Sequence, residues 1–178
     1  MGKTIPFGNQ EGDDLNALLE RARILKKFVV DSEDEIVKDF GAIERIFEGK
    51  ISEILIDSKL ISKGFFLCGI YVSKMLRDFV FTCPESWYAI DYIEMARQKG
   101  NPYYFKDGAD MCFLLCSLFA GRTNRRRRAT SKKMYIEIGG GLYYRFFSET
   151  KHNISRHMAR NFETMVDVAN EAVGRIRR

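Results

Sequence analysis

A dense group of basic side chains is the feature of this 178-residue sequence that most directly suggests chemistry. Seven lysines and arginines stand within the twelve residues from Arg122 to Lys133, namely Arg122, Arg125, Arg126, Arg127, Arg128, Lys132 and Lys133. Guanidinium and ammonium groups at this density bind phosphates and carboxylates, because they neutralise the anion and arginine matches its oxygens in a forked geometry. This basic segment therefore predicts a site for an acidic partner, either nucleic acid or an acidic protein. The alternative is a solvated loop whose first arginines interact with the last carbonyls of the preceding helix.

The distribution of charge and of aromatic residues agrees with such a site. From Arg122 to Arg178 the chain carries 14 basic and 5 acidic side chains, whereas residues 1–121 carry 15 basic and 19 acidic ones. Such asymmetry favours an acidic partner for the C-terminal third of the chain. Aromatic residues that could stack single-stranded bases follow the basic segment; they are Tyr135, Tyr143, Tyr144, Phe146 and Phe147. The leading interpretation is a non-enzymatic interaction or regulatory module.

Arg145 and His152 form a second candidate site. They are separated by six residues, and this arrangement resembles the Arg-x(4–6)-His element of the HEPN ribonucleases, which are small all-helical dimers that cleave RNA without a metal. The resemblance implies that His152 would act as the general acid or base, and that Arg145 would stabilise the charge of the phosphorane. The residue after the arginine is Phe146, where that family usually has a polar residue. A metal-independent ribonuclease is therefore the alternative function.

The remaining motifs predict neither a cofactor nor a metal. The glycine run 139–141 lacks the Lys-Ser/Thr ending of a P-loop and the GxGxxG spacing of a dinucleotide site, so it indicates close packing instead. His152 and His157 are five residues apart and do not share a helix face. Cys112 and Cys116 share one, but no further cysteine or histidine stands near enough to complete a zinc site.

The cysteines and the N-terminus favour a cytoplasmic protein. Cys68, Cys83, Cys112 and Cys116 lie in or beside apolar runs, and no apolar h-region precedes them, so we expect reduced thiols in the core. The longest apolar run, Met111–Ala120, is too short to span a bilayer. We therefore expect no membrane partner.

One longer pattern is similar to that of uncharacterised bacterial all-helical proteins with no assigned activity. It extends over about forty residues and comprises Asp110, Phe113, Leu114, Leu118, Phe119, Arg122, Arg125–Arg128, Tyr135, Ile136, Ile138, Gly139 and Tyr143. The resemblance implies a bacterial origin. It also implies that the arginines and the Gly-Tyr element belong to one structural unit.

Apolar periodicity predicts an all-α fold, with a single domain of six to eight helices over residues 13–178 after a flexible tail at 1–12. Asp13 or Asp14 caps a first helix with an apolar stripe at Leu15, Leu18, Ala22, Leu25 and Val29. A capping box at residues 32–35 opens a second helix that stops near Gly49, and a short helix follows over Ile51–Ile61.

The middle of the chain predicts three further helices. The first, Phe65–Phe81, is apolar nearly all round and is expected at the centre of the bundle. The second starts at Pro84, since proline suits the first helical position, and it ends at Gly100. The third is Gly108–Ala120, capped by Asp107 and largely buried.

In the C-terminal third, the sequence leaves the structure of one segment open and predicts one clear helix. Residues 134–147 fit either a helix or a short hairpin around the glycine run. Three glycines destabilise a helix by about 2–3 kcal/mol relative to alanines. We nevertheless favour the helix, because the sequence predicts no sheet for a hairpin to join. The last helix, capped by Asn153 or Ser155, carries a heptad seam that packs in the bundle interior or, as the alternative, against a second copy. The seam consists of Met158, Phe162, Met165, Ala169, Ala172 and Ile176.

Overall fold

The structure is a computed structural model that describes residues 40–119 and 131–177. Within these two ranges the chain forms six α-helices and no strand, which confirms the predicted all-α fold. The helices are α1 (Phe40–Asp57), α2 (Lys63–Phe81), α3 (Ala89–Lys99), α4 (Tyr103–Leu118), α5 (Lys132–Thr150) and α6 (Asn153–Arg177). The predicted tail 1–12, the helix at 13–29, the capping box at 32–35 and the arginines from Arg122 to Arg128 lie outside the described residues.

Helix α1 joins two segments that the sequence predicts as separate helices. The predicted stop near Gly49 is wrong, because α1 continues through this exposed glycine to Asp57. A glycine inside a helix costs only about 1 kcal/mol. The apolar face that it interrupts continues on both sides, and Phe47 and Ile51 are both buried. Burial of this apolar face therefore outweighs the tendency of Gly49 to end the helix.

Helix α2 agrees with its prediction, whereas the start of α3 does not. The side chain of Ser62 caps α2 by accepting from the backbone N–H of Phe65, 3.4 Å away. The predicted helix start at Pro84 is wrong, since α3 begins at Ala89. The preceding loop buries Trp87 against the ring of Phe119, with ring centroids 5.7 Å apart. Packing of this indole replaces the expected first helical turn.

The end of α3 is as predicted, but α4 begins at Tyr103, five residues before the predicted start at Gly108. Gly100 ends α3 in the left-handed conformation, with φ 61°. The side-chain oxygen of Asn101 accepts from the N–H of Tyr103 at 3.0 Å, and this contact opens α4. Asp107, the predicted cap, therefore lies inside the helix. The expected burial of this segment is confirmed, since the residues from Gly108 to Leu118 are buried almost without exception.

Residues 134–147 are helical, so the helix interpretation is confirmed and the hairpin alternative is wrong. The side chain of Ser131 caps α5 by accepting from the N–H of Met134 at 3.3 Å. The glycine run makes a close contact at Gly139, where an added Cβ would lie 2.4 Å from the ring of Phe162. The predicted role in close packing is therefore confirmed for Gly139, whereas an added Cβ at Gly141 would have nothing within 4 Å.

Helix α6 packs against four other helices, which are α1, α2, α4 and α5. Its heptad seam is buried within the chain, with Met158, Met165 and Ala172 fully inaccessible. This confirms the interior reading of the seam, and the homodimer alternative stays a prediction that would need another surface. The helix is interrupted at Asn161, whose φ of −112° and ψ of 16° are not helical.

Candidate functional site

The described end of the basic segment is the first turn of α5. Lys132 is tied to α6, because its Nζ lies 3.1 Å from a carboxylate oxygen of Asp167. Lys133 is exposed and makes no ion pair with any described residue. The other members of the predicted site, Arg122 and Arg125–Arg128, lie outside the described residues. Of the two lysines, Lys133 is therefore the one directly available to an anion.

An apolar groove lies beside this first turn of α5. It has a volume of about 190 Å³ and is formed by the start of α3 and the start of α5. Its lining residues are Tyr88, Ala89, Ile90, Ile93, Met134, Tyr135 and Ile138. Ile90 is 49% exposed and Met134 is 44% exposed. We call this surface the α3–α5 groove.

Sequence reasoning missed the α3–α5 groove. Periodicity identifies which residues share a helix face, but it does not show which two faces leave a gap between them. The available signal is the position of Met134, an apolar residue in the first turn of a helix, directly after two lysines. A buried helix start would seldom place an apolar residue directly after two charged ones, so this position indicates exposed apolar surface.

Arg145 and His152 are held by separate local contacts. The Nε of Arg145 lies 3.3 Å from a carboxylate oxygen of Glu149, and its guanidinium lies 4.4 Å from the ring centroid of Phe105. The Nδ1 of His152 lies 3.2 Å from the hydroxyl oxygen of Ser155. His152 directly precedes α6, so the predicted caps are wrong: Asn153 is the first helical residue and Ser155 lies inside the helix. Among the described contacts, the two candidate catalytic side chains have no partner in common.

The predicted aromatic stacking surface is only partly exposed. Tyr135, Tyr143 and Phe146 are buried in the core, so that part of the prediction is wrong. Tyr144 is 63% exposed, and its ring centroid lies 6.5 Å from that of the partly buried Phe147. The buried residues follow the core-facing stripe of α5, which explains why sequence proximity to the basic segment does not bring them to the surface.

A polar cluster that the sequence did not predict joins α2, α4 and α5 around Asp110. One carboxylate oxygen of Asp110 accepts from the hydroxyl of Tyr71 at 2.7 Å and from the hydroxyl of Tyr143. The other accepts from Nζ of Lys106 at 2.8 Å. The only local signal is the four-residue spacing of Lys106 and Asp110, because both tyrosines are distant in sequence.

The groups around Asp110 are in their unreactive protonation states at neutral pH. Burial, followed by the charge of Asp110, raises the pKa of the Tyr71 and Tyr143 hydroxyls well above the ordinary value. Burial disfavours the charged form of Lys106 and so lowers its pKa, but the neighbouring carboxylates of Asp110 and Asp107 have a larger effect. The pKa of Lys106 is therefore raised. Neither a phenolate base nor a neutral amine is therefore available here.

The polar cluster borders a cleft of about 300 Å³. Its charged lining residues are Asp78, Glu85, Lys106, Asp107 and Asp110, so carboxylates outnumber the single ammonium group. Burial is the main cause that raises the pKa of Asp107. This cleft is acidic and is unsuited to the phosphate chemistry that the sequence suggests. Within the described ranges, no group of three or more histidine, cysteine or acidic residues is arranged to hold a metal ion.

The cysteines are all free thiols, and three of them are in the core. Burial raises the pKa of Cys68 to about 11 and that of Cys116 to about 12. Cys83 is exposed, so the expectation that all four are core residues is wrong for this one. Over the part of the chain that the structure describes, each helix is too short or too polar to cross a bilayer.

The chain matches no protein-family model, no curated protein and no solved structure. Both resemblances noted in the sequence therefore stay predictions.

Proposed function

We propose that this chain is a non-enzymatic interaction module that binds an acidic partner through the basic segment. The observation that carries the proposal is the concentration of seven cationic side chains in the twelve residues from Arg122 to Lys133. This segment leads directly into α5, whose start is fixed by the Ser131 cap and by the ion pair of Lys132 with Asp167. A basic segment attached to a fixed helix start loses less conformational freedom on binding than one attached to a mobile tail.

The pKa shifts of the buried thiols and of Lys106 do not suit a nucleophile or a general base. A general base or nucleophile needs a pKa near the operating pH, which requires a thiol or lysine pKa to be lowered. In this chain the shifts go in the opposite direction, because burial raises the pKa of Cys68 to about 11 and neighbouring carboxylates raise that of Lys106. These groups are suited to stabilising the fold and not to activating a substrate.

The ribonuclease alternative rests on Arg145 and His152 alone. Catalysis would require both side chains to converge on one phosphate. Arg145 is already paired with Glu149 and stacked on Phe105, and His152 has its own partner in Ser155. This arrangement favours the binding proposal. RNA cleavage by the wild-type chain that disappears in the His152→Ala variant would instead support the ribonuclease.

The binding proposal is tested by a salt titration with three probes: a single-stranded RNA, a duplex DNA and an acidic peptide. The test variant replaces Arg125–Arg128 with alanine. The control variant removes the same charge from exposed residues elsewhere, through Lys63→Ala, Lys74→Ala, Arg97→Ala and Arg160→Ala. For a nucleic acid, each lost phosphate contact reduces the slope of log K against log[salt] by about 0.7–0.9.

We expect the test variant to lose about tenfold or more in affinity for at least one probe relative to the control variant. Equal affinity of the two variants for every probe would show that the basic segment is not the binding site. Binding of none of the probes by the wild-type chain at low salt would also refute the proposal.

A further inference from the structure

The turn between α5 and α6 carries two cations beside two aromatic rings. Tyr144 and Phe147 lie in the last two turns of α5. Lys151 ends this helix, and Arg156 lies in the first turn of α6. The ring centroid of Phe147 is 5.8 Å from Nζ of Lys151 and 5.7 Å from the guanidinium carbon of Arg156. We call these four residues the α5–α6 corner.

Both cations of the α5–α6 corner are exposed, and neither is neutralised by a carboxylate of the described residues. Lys151 and Arg156 form no ion pair within that part of the chain. The Nζ of Lys151 donates one hydrogen bond to the backbone oxygen of Ser148 at 2.9 Å, which leaves two of its protons for another acceptor. The face of the Phe147 ring attracts both cations but carries no net charge, so their positive charge remains available to an anion.

The sequence around the α5–α6 corner is strongly basic. Residues 144–160 contain four basic side chains and one acidic one. The acidic side chain is that of Glu149, and its carboxylate already lies 3.3 Å from Nε of Arg145. Lys151 and Arg156 therefore receive no counter-charge from this stretch. An excess of one sign of charge attracts a polyanion.

The ring of Tyr144 discriminates between the kinds of anionic partner. Tyr144 is 63% exposed, and its ring centroid lies 6.5 Å from that of Phe147 at an angle of 49°. Single-stranded bases stack on exposed rings beside cationic groups, because every base has a π face. An acidic protein would use the two cations and leave this ring uncovered, and a duplex keeps its bases stacked on one another. The α5–α6 corner therefore fits a single-stranded nucleic acid best.

On these grounds we propose that the α5–α6 corner binds single-stranded nucleic acid, with a base on the ring of Tyr144 and the adjoining phosphates at Lys151 and Arg156. This surface is distinct from the described end of the basic segment. Helix α5 has 19 residues, so Lys133 in its first turn lies about 27 Å from its other end at 1.5 Å per residue. The inference rests on the proposed function only in taking the partner to be acidic, and it depends on different side chains.

The test measures the binding of labelled strands to the full-length chain by fluorescence anisotropy. Three probes have the same length: a single-stranded DNA, the same DNA backbone without bases, and a single-stranded RNA of the same sequence. Tyr144→Ala removes the ring, and Tyr144→Phe retains it. Arg156→Ala removes a cation from the corner, and Arg160→Ala is its matched control, because it removes the same charge one turn further along α6. Urea midpoints check that each variant is folded.

We expect the wild-type chain to bind the DNA with bases about tenfold more tightly than the DNA without bases, since one stacked base accounts for a difference of this size. Tyr144→Ala should abolish this difference, and Tyr144→Phe should preserve it. Arg156→Ala should reduce the slope of log K against log[salt] by about 0.7 on both DNA probes, and Arg160→Ala should reduce it by less. A loss in Tyr144→Ala with either RNA or DNA supports the proposal and shows which strand the corner takes.

Equal affinity of the wild-type chain for the DNA with and without bases would refute the α5–α6 corner as a stacking site. Tighter binding of an acidic peptide than of either strand would overturn the choice of nucleic acid. If the Tyr144 and Arg156 variants bind like wild type while the Arg125–Arg128 alanine variant loses binding, the corner is refuted and the proposed function stands. If the losses are reversed, the basic segment is refuted as the binding site and the corner stands.

Discussion

The glycine run of α5 permits a stringent test of the packing, because three identical substitutions have different expected signs. An ideal Cβ at Gly139 would lie 2.4 and 2.6 Å from two ring atoms of Phe162 and 2.9 Å from the Cβ of Cys112. Carbon atoms in contact are normally about 3.5–4.0 Å apart. The ring of Phe162 is 3% exposed and packs against Phe113, with ring centroids 5.5 Å apart, so it has no space into which to move.

The expected change in the free energy of unfolding is the sum of two opposing contributions. Replacing a helical glycine with alanine gains about 1 kcal/mol in helix propensity, whereas overpacking a core costs about 1–3 kcal/mol. With overlaps as severe as these, the overpacking cost should lie at the upper end of that range, about 3 kcal/mol, so Gly139→Ala should cost about 2 kcal/mol net. Gly141 has nothing within 4 Å of the added Cβ, so Gly141→Ala should stabilise by about 1 kcal/mol. Gly140→Ala should be nearly as favourable, since its nearest neighbour, the carbonyl oxygen of Ala159, is at an ordinary 3.5 Å.

Thermal and urea unfolding followed by circular dichroism measure the difference. For a chain of this length, a gap of about 3 kcal/mol corresponds to a difference in Tm of about 6–12 °C between Gly139→Ala and Gly141→Ala. In a Phe162→Leu background the additional cost of Gly139→Ala should shrink, because the clashing outer ring atoms are absent. Equal stability of Gly139→Ala and wild type would contradict the packing of α5 against α6.

Further predictions concern the polar groups. Asp110→Asn should destabilise the chain by about 2 kcal/mol or more, because it disrupts charge-assisted hydrogen bonds from Tyr71, Tyr143 and Lys106. Its neighbour provides a control: since burial raises the pKa of Asp107, Asp107→Asn should be neutral or slightly stabilising at pH 7, and any gain should vanish as the pH falls below the ordinary aspartate value. Urea midpoints at pH 7 and pH 4 test both variants, and a larger loss for Asp107→Asn would contradict the reasoning. At alkaline pH, the tyrosines with raised pKa values hold their protons more tightly in the folded chain than in the unfolded one. Their contribution to the free energy of unfolding is complete below pH about 10 and is lost as the pH rises above it. The urea midpoint should therefore fall above pH about 10, where tyrosinate absorption appears, and it should fall more gradually in Tyr143→Phe.

The sequence was most informative where an apolar stripe is long. The seam of α6 extends from Met158 to Ile176, and every member of it is buried. Helix starts and stops were less predictable, because they depend on local signals that tertiary packing can outweigh. At Gly49 a continuous buried face carries α1 through a glycine, and before α3 the burial of Trp87 displaces the expected first turn.

At the candidate sites too, contacts between residues that are distant in the sequence could not be predicted. The density of the basic segment is visible in the sequence, but the α3–α5 groove depends on how two helices that are distant in the chain are placed. Likewise, the hydroxyls of Tyr71 and Tyr143 meet at Asp110 across separations of 39 and 33 residues. No local pattern relates them. Only the i,i+4 pair of Lys106 and Asp110 was accessible to reasoning from spacing.

The two polar regions of the structure have opposite capacities for binding. At Asp110, both carboxylate oxygens already accept hydrogen bonds, and Lys106 balances the charge, so a ligand would have to displace contacts that stabilise the fold. At the start of α5, Lys133 and Met134 are exposed. A partner gains there by covering apolar surface at about 25 cal/mol per Å², with little desolvation of an already solvated ammonium group. Substitutions at Asp110 should therefore change stability, whereas Lys133→Ala should change affinity for an acidic partner with little effect on stability. This separation allows a loss of binding in a variant of the basic segment to be attributed to the segment and not to unfolding.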